Sequence, residues 1–517
     1  MSRLLNLGEA VSTNAALYPE KIGARDLTRA MTFRQWNERA CRLANALLGL
    51  GLRKGDRVGV LAYNCIEWLE IYAAVAKGGL VVVPINFRLV AAEIRYIAQD
   101  AGVRAFIVQD ELVDRTEAIR GELEVPEGNY VHFGGSPCPA GYRDYEGLLA
   151  RGGSAEPAVP VANEDHWALM YTSGTTGNPK GAIRDHAGAA LIALVTELDF
   201  GFTHGDAGLL VMPMCHANSL YFFSAFAYCG ATCVVYDRKS FDPEHLLRTL
   251  AEERVTFTSL VPTHYIVMLG LPDAVKERFD VDRVNKLLIS SAPARRETKL
   301  AVMEQFRNSK LYELYGSTEA GWVTLLRPDD QLTKLGSIGR EFTGTGKVRL
   351  LDETGDDVPD GQVGELYSRT PYTFRGYWNL PEKTAEAFRG EYCTVGDMAR
   401  READGYYYLV DRKKNMIISG GENVYPSEVE SLLGRHPKVK DVAVIGVPHE
   451  KWGEAVHAVL VLHDGVRATE AEILDWCRDK IAGFKRPRTV AFIREEEMPR
   501  TATGKILHRQ LRAMFAN

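Results

Sequence analysis

Between Tyr171 and Gly181 the chain sets the hydroxyls of Thr172, Ser173, Thr175 and Thr176 among Gly174, Gly177 and Gly181, with Lys180 next to last. Glycine permits unusual backbone angles and close approach, hydroxyls hydrogen-bond oxyanions, and a lysine adds a mobile positive charge. Those are the properties of a phosphate cradle. It is not a Walker A loop, because Pro179 precedes the lysine where that motif has Gly, and Gly181 follows where Ser or Thr is required. Cys215 beside His216 is a second pair with chemical potential, as ligand or nucleophile. The eight cysteines, at 41, 65, 138, 215, 229, 233, 393 and 477, form no CxxC pair and suit neither a zinc site nor a disulfide framework. They read as buried free thiols.

A phosphate cradle needs strands and helices to hold it, and the flanking sequence supplies both. Phe33, Trp36, Ala40, Leu43, Ala44 and Leu47 mark one face of a helix that stops by Gly51. Residues 57–62 follow as a strand, then a helix near 67–77, then the apolar strand 80–83. Asp242 caps a second such helix with Pro243 at its first position, and 255–261 is the next strand. Alternation of this kind predicts an α/β protein with sheets covered by helices on both faces. The Gly/Pro/Ala-rich stretch 134–165 reads as a surface excursion joining two α/β halves. From about Lys347 short strands with turn signals suggest a small β-rich subdomain. After Asp411 to Lys414 a compact α+β pattern runs to the end. The expected organisation is therefore an N-terminal domain over 1–411, a hinge at 412–414 and a mobile C-terminal domain over 415–517.

Bulk properties remove several classes of function. With 517 residues, 46% of them apolar, and a net charge of −6, no overall basic field draws the chain to nucleic acid. Residues 207–236 carry no Asp, Glu, Lys or Arg and are long enough to span a bilayer. Pro213, His216, Asn218, Ser219, Ser224 and Gly230 interrupt them, and they end as a β-type run, so a buried helix leading into a buried strand is expected. The N-terminus has no apolar core long enough for a signal peptide, and a cytoplasmic protein is the expectation.

The cradle resembles the phosphate-binding signature of the adenylate-forming superfamily, which includes acyl- and aryl-CoA ligases, peptide-synthetase adenylation domains and firefly luciferase. Further segments are similar to that family's motifs in the right order: Lys77 to Asn86, Tyr315-Gly316-Ser317-Thr318-Glu319, Gly364-Glu365-Leu366, Gly376-Tyr377-Trp378, Thr394 to Asp397, Gly420 to Asn423, and Thr501 to Lys505. Together they span about residues 30 to 512. The resemblance implies that Thr318 offers its hydroxyl to an α-phosphate oxygen and Glu319 its carboxylate to Mg²⁺, a hard cation that wants oxygen. It places Tyr315 on one side of the adenine and Ser291-Ala292-Pro293 on the other, with Ser291 replacing the family's Gly. Asp397 would hold both ribose hydroxyls, Arg412 would meet the ribose or α-phosphate, and Lys505 would bridge carboxylate and phosphate during adenylation.

By the same resemblance His216 is a gate beside the acyl carboxylate. Arg88, Gly420, Gly421, Trp452, Phe484 and Arg486 belong to the coenzyme A side, and Lys414 is the pivot. The implied activity consumes ATP, Mg²⁺ and coenzyme A with a small-molecule carboxylic acid. An amino-acid adenylation module would need a carboxylate near His216 for the α-amino group, and residues 207–236 contain none. A luciferase-like enzyme, a carrier-protein acyl ligase and a non-catalytic nucleotide-binding homologue remain as alternatives. Tyr221, Phe222 and Trp322 suggest an apolar, partly aromatic acyl pocket suited to a medium-chain or aryl acid. Oligomeric state stays open, a homodimer included.

Overall fold

The helix at Phe33–Gly49 starts where Thr32 and Gln35 exchange hydrogen bonds in a capping box, and it buries the predicted Phe33, Trp36, Ala40, Leu43, Ala44 and Leu47. The computed structural model describes residues 4–172, 178–290, 294–419, 422–478, 480–500 and 506–515. The chain divides into two compact units. Unit 1 comprises 1–173, 179–348 and 368–393; unit 2 comprises 174–178, 349–367 and 394–517.

Unit 1 contains two mainly parallel sheets. The seven-stranded one runs, edge to edge, Arg143–Asp144, Tyr130–Phe133, Val103–Gln109, Arg57–Leu61, Val81–Ile85, His166–Thr172 and Lys180–Asp185, with only the last pair antiparallel. The central strands of the nine-stranded sheet are Lys310–Ser317, Lys286–Ser290, Phe257–Leu260, Ala207–Leu210 and Thr232–Val235, all parallel. Strands buried on both faces must be apolar throughout, as Val81–Ile85 is. The charge-free stretch folds as the buried helix Ala217–Cys229 followed by the strand Thr232–Val235, as its composition suggested. Among the described residues no helix is long and apolar enough to cross a membrane.

One expectation is corrected. Residues 134–165 are not merely an excursion: Arg143–Asp144 adds an edge strand, and Asp144 caps the helix Tyr145–Arg151. Tyr145, Leu148 and Leu149 of that helix are buried. Three apolar residues at i, i+3 and i+4 suffice for one packed face, and the surrounding Gly and Pro hid them.

Unit 2 begins with antiparallel pairings of Arg349–Leu351 with Val363–Ser368 and of Tyr392–Arg401 with Tyr407–Arg412. A further sheet orders Glu422–Val424, Ile417–Ser419, Gly453–Leu462 and Val439–His449, with Thr489–Phe492 alongside Gly453–Leu462. Val429, Leu433, Val444, Val456, Leu460 and Ile473 form its core.

Candidate active site

In open α/β sheets, ligands gather beyond the carboxyl ends of the strands. Several segments predicted from the sequence reach that edge of unit 1. Thr172 ends its strand, Ser290 ends Lys286–Ser290, Ser317 ends Lys310–Ser317, Asn86 follows Val81–Ile85, and His216 follows Ala207–Leu210. Ser173, Gly174, Thr175, Thr176, Gly177, Ser291, Ala292, Pro293, Gly420, Gly421 and Lys505 lie outside the described residues.

The two stems of the phosphate cradle form an antiparallel hairpin with Thr172 opposite Lys180 and Tyr171 opposite Gly181. The Tyr171 hydroxyl donates to Asp100 at 2.5 Å. The Lys180 ammonium stands 3.9 Å from the centre of the Tyr377 ring. Burial lowers its pKa, and Glu319 nearby opposes that shift.

Tyr315, Gly316 and Ser317 lead into the turn that carries Thr318 and Glu319. A Cβ on Gly316 would meet the Gly321 carbonyl at 2.3 Å, so only glycine fits this close crossing. Ser317 Oγ accepts from the Ala320 N–H at 2.9 Å and tightens the turn. Arg184, 1% exposed, donates from Nη1 to the carbonyls of Thr318 (3.3 Å) and Glu319 (3.2 Å). The Glu319 carbonyl also accepts from the Phe374 N–H at 2.7 Å, and the Thr318 carbonyl from the Tyr221 hydroxyl at 3.4 Å. Arg184 and Tyr377 were not singled out from the sequence as site residues. An arginine in a strand ordinarily faces water, and a tyrosine in a Gly-Tyr-Trp run advertises no partner. The nearest signal was their place in or next to matched motifs.

The residues fit a magnesium ion that arrives with a polyphosphate. Glu319 is buried, and its Oε1 accepts from the Tyr377 hydroxyl at 2.9 Å, while Oε2 has no donor among the described residues. Among those residues no group of three His, Cys, Asp or Glu could cage a metal. One hard oxygen from the protein, with phosphate oxygens and water for the rest, is what Mg²⁺ accepts.

On the acyl side, His216 is not inside an apolar helix, as its neighbours suggested, but at the position just before Ala217–Cys229, capping nothing. Its Nε2 lies 3.5 Å from Asn86 Nδ2, a distance at which a ring protonated on Nδ1 accepts weakly. Burial, then the positive charge of Arg88, lowers its pKa to about 4, so it is neutral at pH 7. Burial pushes the neighbouring Cys215 thiol up to about 12, which removes the nucleophile reading. Arg88 itself is exposed, its guanidinium 5.1 Å from the Phe87 ring. Tyr221 and Phe222 each pack on Trp322, with ring centres 5.1 and 5.4 Å from it, and Trp322 Nε1 donates to Thr196. All three are buried.

Unit 2 pairs Asp397 with Arg412 directly, at 2.9 Å, on opposite strands of one hairpin. Lys413 reaches Glu365 at 2.9 Å, and the Lys414 carbonyl accepts from Arg512 at 3.3 Å. Trp452 lies between the cationic ends of Lys451 and Arg488, 4.8 and 5.3 Å from its ring. Phe484 packs against the unit's core, and Arg486 sits over Gly483.

The Thr172–Lys180 pairing, the buried Glu319 carboxylate and a buried aromatic cluster around Trp322 lie in one α/β unit. The chain belongs to the AMP-binding enzyme family, whose model matches residues 11–378, with the C-terminal domain model of that family matching 428–505. It is 35% identical over 513 residues to a feruloyl-CoA synthase of Amycolatopsis sp., covering 98% of this chain and 99% of that one. It is 35% identical over 489 residues to a long-chain-fatty-acid–CoA ligase of Mycobacterium tuberculosis, covering 94% and 93%. The structure of an anthranilate CoA ligase in complex with anthranoyl-AMP superposes with a TM-score of 0.89 at 30% identity, covering 99% and 98%.

Proposed function

We propose that this chain activates a medium-chain or aryl carboxylic acid, using Mg²⁺ with ATP, through the residues described above. It is an AMP-forming acid:CoA ligase, with ATP, coenzyme A and a small-molecule carboxylic acid as substrates. In the first step a carboxylate oxygen attacks the α-phosphorus, and pyrophosphate leaves with the bridging oxygen's electron pair. In the second the thiol sulfur of coenzyme A, its proton lost, attacks the acyl carbon and AMP leaves.

The observation that carries the assignment of residues is the junction of the Thr172–Lys180 hairpin with the Thr318–Glu319 turn inside unit 1. Lys180 holds phosphate oxygens, and the Thr318 hydroxyl meets the α-phosphate as charge builds there. Glu319 would hold Mg²⁺, which would supply neutralisation of phosphate charge. Ser173 to Gly177 complete the cradle, Tyr315 and Ser291 to Pro293 flank the adenine, and Asp397 receives the ribose hydroxyls with Arg412 beside it. Neutral His216 orients the acyl carboxylate without pairing with it as a cation. Lys505 bridges the two anions in adenylation. Lys414 is the pivot, and Arg88, Gly420, Gly421, Trp452, Phe484 and Arg486 serve coenzyme A.

The buried contacts of Tyr221 and Phe222 with Trp322 support a compact acid over a long straight chain. A panel from acetate to palmitate, with benzoate and cinnamate types, scored by coenzyme-A-dependent AMP release, tests the substrate. Pyrophosphate exchange into ATP is expected with acid alone. ADP as product, or activity indifferent to EDTA, would overturn the mechanism.

A further inference from the structure

The Gly376-Tyr377-Trp378 segment was matched by resemblance but given no role, and the structure gives it one. Residues 370–378 run as a strap over two separate pieces of unit 1. On one side the strap is laced to the hairpin strand Lys180–Asp185: Arg375 N–H donates to Ile183 O, Ile183 N–H to Gly376 O, and Trp378 N–H to Gly181 O, at 2.8–3.0 Å. On the other it holds the metal-side turn, with the Thr370 hydroxyl on Ala320 O at 2.7 Å, Phe374 N–H on Glu319 O and the Tyr372 hydroxyl on Trp322 O at 2.8 Å. Gly376 has φ +138°, and a Cβ there would lie 2.7 Å from Thr384, whose hydroxyl in turn accepts from the Tyr377 N–H at 2.8 Å. The backbone at this point is fixed, and Tyr377 is aimed by it.

Tyr377 meets both charged groups of the phosphate site. Its hydroxyl donates to Glu319 Oε1 at 2.9 Å, and its ring face carries the Lys180 ammonium at 3.9 Å. Lys180 and Glu319 feel each other's charge but form no ion pair within 4 Å. A partly buried lysine and a buried carboxylate close to each other are drawn together. A closed pair would hide the positive charge from phosphate and the negative charge from a metal, and each nucleotide binding event would first have to break it.

We propose that Tyr377 is a positioning residue that keeps Lys180 and Glu319 apart, giving each a partner weak enough to be displaced or shared: a cation–π face for the lysine and one hydroxyl for the carboxylate. Glu319 Oε2 is thereby left for the cation, and Lys180 for phosphate oxygens. This inference rests on the nucleotide and metal reading given above.

The test uses the full-length enzyme and two variants. Tyr377→Phe keeps the ring and loses the hydroxyl, so binding of Mn²⁺ in the presence of ATP, read by electron paramagnetic resonance, weakens by about tenfold, the worth of a hydrogen bond to a charged group. Metal-free ATP binding, read by calorimetry, stays near the wild-type value in that variant. Tyr377→Leu removes the ring as well, the Lys180–Glu319 pair closes, and metal-free ATP binding also falls, by about fivefold. Melting temperatures identify any loss that is merely structural. Two results overturn the proposal: wild-type metal and ATP binding in both variants, or equal losses in both that follow the melting temperature. A wild-type enzyme that binds neither ATP nor Mn²⁺ refutes the nucleotide reading instead, which keeps the two failures distinct.

Discussion

Two arginines stand beside carboxylates assigned to the nucleotide, and they are used in opposite ways. In unit 1, Arg184 is 1% exposed and spends its donors on the main-chain carbonyls of Thr318 and Glu319, with Nη2 unpartnered. Among the described residues no carboxylate lies within ion-pair distance of it. In unit 2, Arg412 is partly exposed and binds the carboxylate of Asp397 itself. The first arrangement shapes a turn and leaves the carboxylate to the Tyr377 hydroxyl. The second binds a carboxylate directly and occupies one of its oxygens. A lone buried cation is costly, so Arg184 is a place where the fold gives up stability. Arg412 keeps part of its side chain in water, and its pairing with the buried Asp397 offsets its desolvation.

If unit 1 is the fixed framework and unit 2 supplies residues specific to each step, substitutions in unit 2 separate the half-reactions and those in unit 1 do not. The largest separation is expected for Lys505→Ala: a lost transition-state contact worth about 4 kcal/mol means roughly a thousandfold slower adenylation. Thioester formation from a supplied acyl-adenylate stays near normal. Equal damage to both steps, measured by pyrophosphate exchange and thioester assays, would make Lys505 structural. Next is Lys414→Pro. Proline fixes φ near −65°, and a pivot must change its dihedrals. Adenylation should survive while thioester formation falls by about a hundredfold. A well-folded variant running the full reaction at the wild-type rate would remove the pivot.

Arg184→Leu sharpens the contrast from the other side. Both carbonyls retain a second donor, Phe374 N–H for Glu319 and the Tyr221 hydroxyl for Thr318. Removing the charge relieves its desolvation, so the melting temperature should hold or rise, while adenylation slows by about tenfold. A melting temperature lowered by more than about 5 °C would mean that Arg184 is chiefly a structural prop. Arg412→Ala leaves the buried Asp397 carboxylate without this ion pair, so the melting temperature should fall by a few degrees and the ATP KM rise by about fivefold, with kcat in the thioester step least affected. An unchanged melting temperature would mean that the pair is worth no more than one on the surface.

Much of this frame was legible beforehand. The face of Phe33–Gly49, the cap at Asp242 and the buried nature of Ala217–Cys229 follow from period and capping chemistry, which act within a few residues. What the sequence withheld are contacts made across the chain. Tyr377 touching Lys180 and Glu319, and Arg184 turned inward under Thr318, depend on how the two sheets and the strap are assembled, and no local pattern encodes that. The helix Tyr145–Arg151 was missed for a different reason: two turns with one buried face give too short a period to stand out among Gly and Pro.

The smallest expected effect concerns pH, and it separates His216 from every charged group in the comparison. Its folded pKa of about 4 lies below the ordinary imidazole value of 6.5, because burial and Arg88 disfavour the imidazolium. Between those values the unfolded chain binds more protons at this residue than the folded one, so stability rises with pH across that window. The contribution is complete above about pH 6.5 and is lost as pH falls toward 4. Catalysis should therefore show no titration of the acid substrate's KM near 6.5, and a profile flat from pH 6 to 8 is expected at saturating ATP and Mg²⁺. His216→Asn keeps a neutral polar side chain and should leave that profile flat, with the acid's KM raised only a few-fold. An acid KM in the wild type that falls as pH drops through 6.5, absent in His216→Asn, would mean that the ring acts as a cation toward the carboxylate. His216 would then belong with Arg412, as a group that meets its partner charge to charge, rather than with the uncharged partners that unit 1 uses around its site.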